Sequence, residues 1–317
     1  MRTRRSQSSG NPMSRTSSAR AADKGHQSVL LHESIEALEI AKDDIVVDAT
    51  LGGAGHSKAI VDLLGSKGML IGLDADSDAI ERAKVRLSGS KARLEFINGN
   101  FKDLQQILES IGVEQITKAL FDLGWSSFQL DAGRGFSFQT DEPLLMTYAK
   151  EPNGLTASTI VNTWAESSLA DVIYGWGDER YSRRIAKGIV AARAKKNIET
   201  ARELAEVIKA SVPAPYRFGR LHPATKTFQA LRIAVNDELG ALKSGITAAW
   251  RKLVPGGRIA VITFHSIEDR EVKELFAEFV QQGGIKIPKK PIKPSLEELQ
   301  ENPRARSAKL RVIQKNL

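Results

Sequence analysis

The sequence predicts an α/β protein built on a doubly wound parallel sheet, Rossmann-like, with an all-helical segment inserted into it. Three observations carry this expectation. Short β-branched runs alternate with helically spaced apolar stretches from Ile45 to Leu123, a glycine-rich loop and an acid punctuate that alternation, and strand patterning lapses before resuming at Val254.

Taken in order, strands are expected at Ile45 to Ala49, Met69 to Asp74, Arg93 to Asn98 and Lys118 to Leu123. Helices over Gly55 to Leu64, Asp78 to Leu87 and Phe101 to Ile111 connect them, the pattern of βαβ units on a parallel sheet. Thr156 to Asn162, Ser168 to Tyr174, Ser182 to Ala194 and Ala201 to Ser211 then read as amphipathic helices, which places a helical insertion over residues 131–215. Val254-Pro-Gly-Gly257 reads as a turn, Arg258 to Phe264 as a buried strand, and Lys309 to Gln314 as the last strand. The expected division is a tail over 1–25, a first sheet part over 26–130, the insertion, and a second sheet part over 216–317.

A chain of 317 residues exceeds the roughly 100–200 of one ordinary domain, so one domain with an insertion, or two domains, is expected. Hydrophobic residues at 41% and charged residues at 26% exclude a disordered chain. Apolar runs such as Arg258 to Phe264 fall far short of the roughly 20 residues that span a bilayer, so no membrane association is expected. The count of cysteines is zero, which removes disulfides, thiolate metal sites and any cysteine nucleophile; no metal is expected.

The net charge of +8 is concentrated at the two ends. Residues 1–25 carry +5 and residues 283–317 carry +6, so the segment between them is slightly acidic. The Arg- and Ser-rich start lacks apolar periodicity and is expected to be disordered, either a plain basic tail or an organelle transit segment. A cytoplasmic location is expected.

In Asp48-Ala-Thr-Leu-Gly-Gly-Ala-Gly-His56 the glycines let the backbone turn sharply and approach a ligand. Asp74, ending the next strand, is placed to accept from the ribose hydroxyls of an adenosine-containing cofactor. A tight turn that binds nothing is the plainer reading. No Gly-Lys-Ser/Thr ending follows, and Lys58 occupies the last position of a dinucleotide fingerprint begun at Gly53, so pyrophosphate binding is disfavoured. Phe101 stands where an adenine can stack, or where a core ring opens the next helix. Asp122, at the open end of the fourth strand, is a candidate for the point where cofactor and substrate meet, or a helix cap. At this point the features say a nucleoside cofactor without naming it.

Six ordered motifs narrow this. Asp48 to Ser57, Asp122 to Asp131, Gly135-Phe-Ser-Phe138, His222-Pro-Ala-Thr-Lys-Thr-Phe-Gln-Ala-Leu-Arg232, Phe264-His-Ser-Ile-Glu-Asp-Arg270 and Asn302-Pro-Arg-Ala-Arg-Ser307 closely resemble the bacterial 16S rRNA (cytosine-N4)-methyltransferase family, RsmH (MraW). The resemblance runs from His26 to about Lys315. It implies a class I S-adenosylmethionine-dependent methyltransferase fold and N4 methylation of a cytidine in the decoding centre of the small ribosomal subunit. Carried over by motif, it implies that Ala54, Gly55 and His56 line the methionine end of S-adenosyl-L-methionine, that Asp74 holds its ribose, and that Phe101, Asp122 and Gln129 complete the pocket. The chain departs from the family pattern at Pro143-Leu-Leu-Met-Thr-Tyr148, which lacks an acid and a base, and at Trp125 and Phe128, where Val and Pro are usual.

The chemistry of the residues fits. Methylating carbon 5 of a pyrimidine normally needs a cysteine nucleophile, whereas transfer to an exocyclic amine needs positioning and electrostatics. Asp122-Leu-Gly-Trp125 is similar to the Asp/Asn-Pro-Pro-Tyr loop of other amino-methyltransferases, which makes Asp122 the candidate amine acceptor. Trp125 is then a candidate stack for the cytosine, or a filler of the hinge to the insertion. Ser126 and Ser127 are weaker catalytic candidates, and His265 reads more readily as structural than as a base. Arg180, Arg183, Arg184 and Lys187 fall on one helical face and can neutralise RNA phosphates, or form a solvated face paired with Asp178 and Glu179. A ribosome assembly factor with an idle cofactor pocket and a nicotinamide-dependent oxidoreductase are the alternative readings, and dimerisation is left open.

Overall fold

The computed structural model describes residues 28–123, 133–148 and 154–316. Its first half is the alternation expected. Helix α1 (Leu31–Leu38) leads into β1 (Ile45–Asp48), α2 (Gly55–Leu63), β2 (Met69–Asp74), α3 (Ser77–Arg86), β3 (Arg93–Asn98), a 3-10 turn at Phe101–Asp103 that continues as α4 (Leu104–Ser110), and β4 (Ile116–Asp122). Asp76 caps α3 by accepting from the Asp78 N–H at 3.0 Å, the reason this helix begins where it does.

The helices that follow are α5 (Ala157–Thr163), α6 (Glu166–Gly177), α7 (Ser182–Arg193), α8 (Ala201–Ser211), the single turn α9 (Ala214–Arg217), α10 (Thr225–Asn236) and α11 (Glu238–Lys252). Thr200 and Glu203 close a capping box on α8, so its start is written in the sequence. The chain then returns to the sheet with β5 (Leu253–Thr263), α12 (Ser266–Gln281), β6 (Gly284–Lys286), α13 (Leu296–Glu301), a 3-10 turn at Pro303–Ser307 and β7 (Lys309–Lys315).

The seven strands lie in the order β3-β2-β1-β4-β5-β7-β6. Strands β1 to β5 are parallel, with Asp48 opposite Leu120 and Asp122 opposite Ile262, and β7 runs antiparallel between β5 and β6. The Val254–Gly257 stretch, expected as a turn, is taken into β5. The register with β4 shifts between Ile116 and Lys118, and Gly256 adopts φ +77 there, so an irregular strand accommodates what reads locally as a turn.

Alternate side chains of the buried strands feed two cores. Val47, Ile71, Ala119 and Phe121 pack with Trp250, Phe276 and Phe279 on one face. Val46, Leu70 and Leu120 pack with Ile60, Ile80 and Leu310 on the other. A third cluster gathers Ile160, Leu169, Ile185, Ile189, Leu204 and Ile208 from the helices after β4, and continues past residue 215 to Phe228 and Leu231 of α10. No helix among the described residues is long and apolar enough to cross a membrane.

Candidate functional site

The strand order reverses between β1 and β4, and it is at the carboxyl ends of strands flanking such a switch that α/β sheets bind ligands. A cleft of about 890 Å³, counted out to its mouth, opens there. That size lies within the roughly 300–1,000 Å³ of small-molecule sites. Thr50 and Gly52 from the loop after β1, Asp74 and Asp76 after β2, Asn100 and Phe101 after β3, and Asp122 at the end of β4 form one side.

The loop is shaped by backbone demands. Gly52 and Ala54 both adopt left-handed conformations, φ +50 and +56, and the Gly52 N–H donates to Asp74 Oδ2 at 2.8 Å. Asp74 Oδ1 accepts from the Asp76 N–H at 2.9 Å. Burial raises the Asp74 pKa above the usual carboxylate value, opposed by those two N–H donors. Asp48, fully buried under the loop, is pushed up to about 6 by desolvation, although Ser57 Oγ donates to it at 2.6 Å.

Asp122 is fixed through its backbone, the N–H donating to Thr50 Oγ1 at 2.7 Å, while its carboxylate lies 3.6 Å from His56 Nδ1. Phe101 meets Phe121 edge-on at 5.7 Å and packs into the first core, as the core reading of this ring expects, and it also lines the cleft.

Ala54, Gly55 and His56 are not among the residues that line the cleft. Ala54 is fully buried, a Cβ on Gly55 would meet Ser28 Oγ at 2.0 Å, and His56 Nε2 contacts the Val29 carbonyl at 3.1 Å. In this structure the three residues pack against the segment that precedes α1. Trp125, Ser126, Ser127 and Gln129 lie outside the described residues.

The opposite wall comes from elements that the sequence motifs did not assign to the site: Tyr148, Asn236, Glu238 and Ala241, with Glu268 from the first turn of α12. Tyr148 falls in the stretch that departs from the family pattern. Its hydroxyl donates to Glu238 Oε1 at 2.7 Å, and burial drives its pKa well above the usual tyrosine value. Arg232 grips Glu238 with both carboxylate oxygens engaged, Nε to Oε1 at 2.7 Å and Nη2 to Oε2 at 2.8 Å. Burial opposes the Arg232 charge, but Glu238 more than offsets it, and the guanidinium stays charged.

Glu238, His265 and Glu268 bring one ligand-type atom each within 4.8 Å of one another. The guanidinium already seated on Glu238 supplies the positive charge that a metal would bring, so this is an ion-pair network. His265 itself is the N-cap of α12, its Nδ1 accepting from the Glu268 N–H at 3.3 Å, a structural role.

Of the basic residues on the helices, Arg183, Arg184 and Lys187 are exposed on α7 with no carboxylate in ion-pairing range among the described residues. Arg180 packs over the rings of Tyr181 and Tyr216 at 4.8 and 5.2 Å. The pairing with Asp178 and Glu179 is absent. Asp178 lies 3.7 Å from Arg270, and Glu179 is buried, accepting from the Tyr181 N–H and from the Tyr216 hydroxyl.

Residues 23–316 match the model of a family described as the MraW methylase family. Among curated relatives, a ribosomal RNA small subunit methyltransferase H of Clostridioides difficile is 47% identical over 307 residues, covering 92% of this chain and 98% of that protein. Proteins of the same name from Persephonella marina and a Paenibacillus species are 46% and 45% identical, each covering 92% of this chain and 99% of its own length.

Proposed function

The chain belongs to the MraW methylase family, and from that premise we propose that it methylates the N4 amine of a cytidine in the decoding centre of 16S rRNA, within the small ribosomal subunit. The coarser statement needs no proposal: the chain is an S-adenosylmethionine-dependent rRNA methyltransferase with a class I fold.

One observation supports the cofactor from the site itself. Asp74, Asp76, Asp122, Glu238 and Glu268 line the cleft, with no lysine or arginine among the described lining residues. Such a cleft repels the pyrophosphate of a dinucleotide and favours a ligand that carries a sulfonium and an ammonium beside its ribose. S-adenosylmethionine supplies an electrophilic methyl group when bound. Asp74, held by two backbone N–H groups, has remaining lone pairs for the ribose hydroxyls, and Phe101 offers a ring to the adenine. The loop from Thr50 and Asp122 serve the methionine end. The carry-over of Ala54, Gly55, His56 and Gln129 to the cofactor rests on family likeness.

The absence of cysteine supports an amine acceptor over ring carbon 5. Asp122 is proposed to contact the reacting amine, with Trp125 stacking the base and Ser126 and Ser127 as polar guides. The helical segment over 131–215 is proposed as the RNA-binding part, using Arg180, Arg183, Arg184 and Lys187. A cytoplasmic site of action follows from the substrate.

Labelled methyl transfer onto small subunits lacking the modification, followed by nucleoside mass analysis, tests the reaction. N4-methylcytidine is expected, and any other product rejects it. Titration should show S-adenosylhomocysteine bound and NAD not bound, while Asp122→Ala should abolish transfer in a protein that still melts cooperatively.

A further inference from the structure

A second cavity, of about 700 Å³, opens beside the cofactor cleft, and the two share Leu123 and Glu268 in their walls. We propose that this second cavity receives the flipped target cytosine and that Glu268 holds the N4 amine and accepts the proton it sheds. This rests on the methyl-transfer reading above, in which Asp122 contacts one hydrogen of the amine, and it names Glu268 as the group that takes the other as a proton.

The sheet order supplies the first argument. A cofactor laid across the ends of β3, β2, β1 and β4 leaves the end of β5 as the next position along the crevice. Phe264, His265 and Glu268 stand there, and all three line the second cavity.

The lining supplies the second. Phe136, Phe138, Phe228 and Phe264 make it aromatic, and Phe138 is braced by an edge-on contact with Phe228 at 5.4 Å and a stack on His222 at 4.4 Å. An enzyme that modifies a base must take it out of its stack into a pocket that restores ring contacts.

The third argument is the balance of donors and acceptors. Gln229 commits its amide nitrogen to the Trp176 carbonyl at 3.1 Å, which leaves its oxygen as an acceptor. Glu268 Oε2 accepts from the Phe264 N–H at 2.8 Å and the His265 N–H at 3.3 Å, so the carboxylate is held rigidly at the helix start. Its Oε1 lies 3.0 Å from His265 Nε2, out of line for a hydrogen bond, so its lone pairs remain for an incoming N–H. With Nδ1 accepting from the Glu268 N–H, the imidazole proton sits on Nε2. Glu268 and the Gln229 oxygen are acceptors that suit the amine of cytosine, in a wall that also holds the charged guanidinium of Arg232.

The step balances. The N4 lone pair forms the N–C bond as the methyl C–S bond breaks with its electron pair leaving on sulfur. One N4 proton passes to Glu268 Oε1 and from there to solvent, giving the neutral methylated amine. Rigid placement of the acceptor keeps the lone pair aimed at the methyl group.

Three variants test this on the full chain with assembled small subunits. Glu268→Gln keeps the shape and an acceptor for the helix-start N–H groups. It should lower methyl transfer about 100-fold, the low end for a lost acid–base group, while S-adenosylhomocysteine affinity, to which Glu268 contributes beside four other cleft carboxylates, falls by no more than about tenfold by titration. Glu268→Asp should recover part of the rate. Thr225, at the start of α10, lines the second cavity and not the cleft. Thr225→Trp fills the cavity and should abolish transfer with the cofactor product still bound normally. Wild-type turnover in either Glu268→Gln or Thr225→Trp overturns the assignment, as does loss of cofactor binding in Glu268→Gln, which would make Glu268 a cofactor residue. If the wild type makes N4-methylcytidine and these variants fail to behave as stated, this inference alone falls. A different wild-type product removes the reaction and this assignment together.

Discussion

Asp48 is the residue whose environment is most at odds with its charge. It is fully buried, and its pKa stands at about 6 against an ordinary 3.8. Between those values the folded state binds more protons than the unfolded chain, so stability falls as pH rises through that window and stays lowered above it. The difference amounts to about 3 kcal/mol at neutral pH. Asp48→Asn, whose Oδ1 still accepts from the Thr50 N–H while its amide nitrogen donates to Ser57 Oγ in place of the bond Ser57 now gives, is therefore expected to stabilise the protein by roughly 1–3 kcal/mol at pH 8 and to leave it unchanged near pH 4. Urea unfolding at the two pH values measures this, and equal stabilities at pH 8 would refute it. The same scale shows how site residues become legible. Asp74 was readable because strand, loop and acid fall at fixed spacing in one βαβ unit. Glu238 and Tyr148 were not, because they reach the cleft only through tertiary packing of segments 90 residues apart in the chain. Glu268 lies within one of the six motifs, but its place in the walls of both cavities comes only from the folding of α12 beside the end of β4.

At the scale of elements, α7 presents Arg183, Arg184 and Lys187 to solvent without carboxylate partners among the described residues, while its other face, Ile185, Ala186 and Ile189, is buried. Cations left unpaired in this way suit phosphate contacts. Replacing all three by alanine is expected to weaken small-subunit binding and to reduce the slope of log affinity against log salt by about 2–3, near one for each phosphate no longer neutralised. An unchanged slope would remove α7 from the RNA interface. Packing of α6 on α10 is tighter than sequence periodicity can reveal. A Cβ on Gly177 would stand 2.6 Å from the Lys226 carbonyl oxygen, so Gly177→Ala should cost about 1–3 kcal/mol, read as a lowered melting temperature. Helical spacing identified α5 to α8 because each buries one apolar face. The Val254–Gly257 turn was misread because proline and glycine mark local geometry, and the partner strand that draws them into β5 lies far away in the chain.

For the whole molecule, the parallel half of the sheet was legible because buried strands on two faces must read as continuous apolar runs. The position of β7 was not, since nothing in Lys309–Lys315 says that it inserts between β5 and β6. That placement sets an order of events during synthesis. Strand β6 is made before β7 but pairs only with it, and Glu298, whose Oε1 accepts from the Leu30 N–H at 2.7 Å, ties α13 back to the start of the described chain. At about 5–20 residues per second, the 22 residues between Lys286 and Lys309 take roughly one to four seconds to emerge. Throughout that interval β6 has no strand beside it and β5 shows an open edge. A nascent chain therefore passes through a vulnerable stage in which the first five strands can be assembled while the far border of the sheet waits on its last strand.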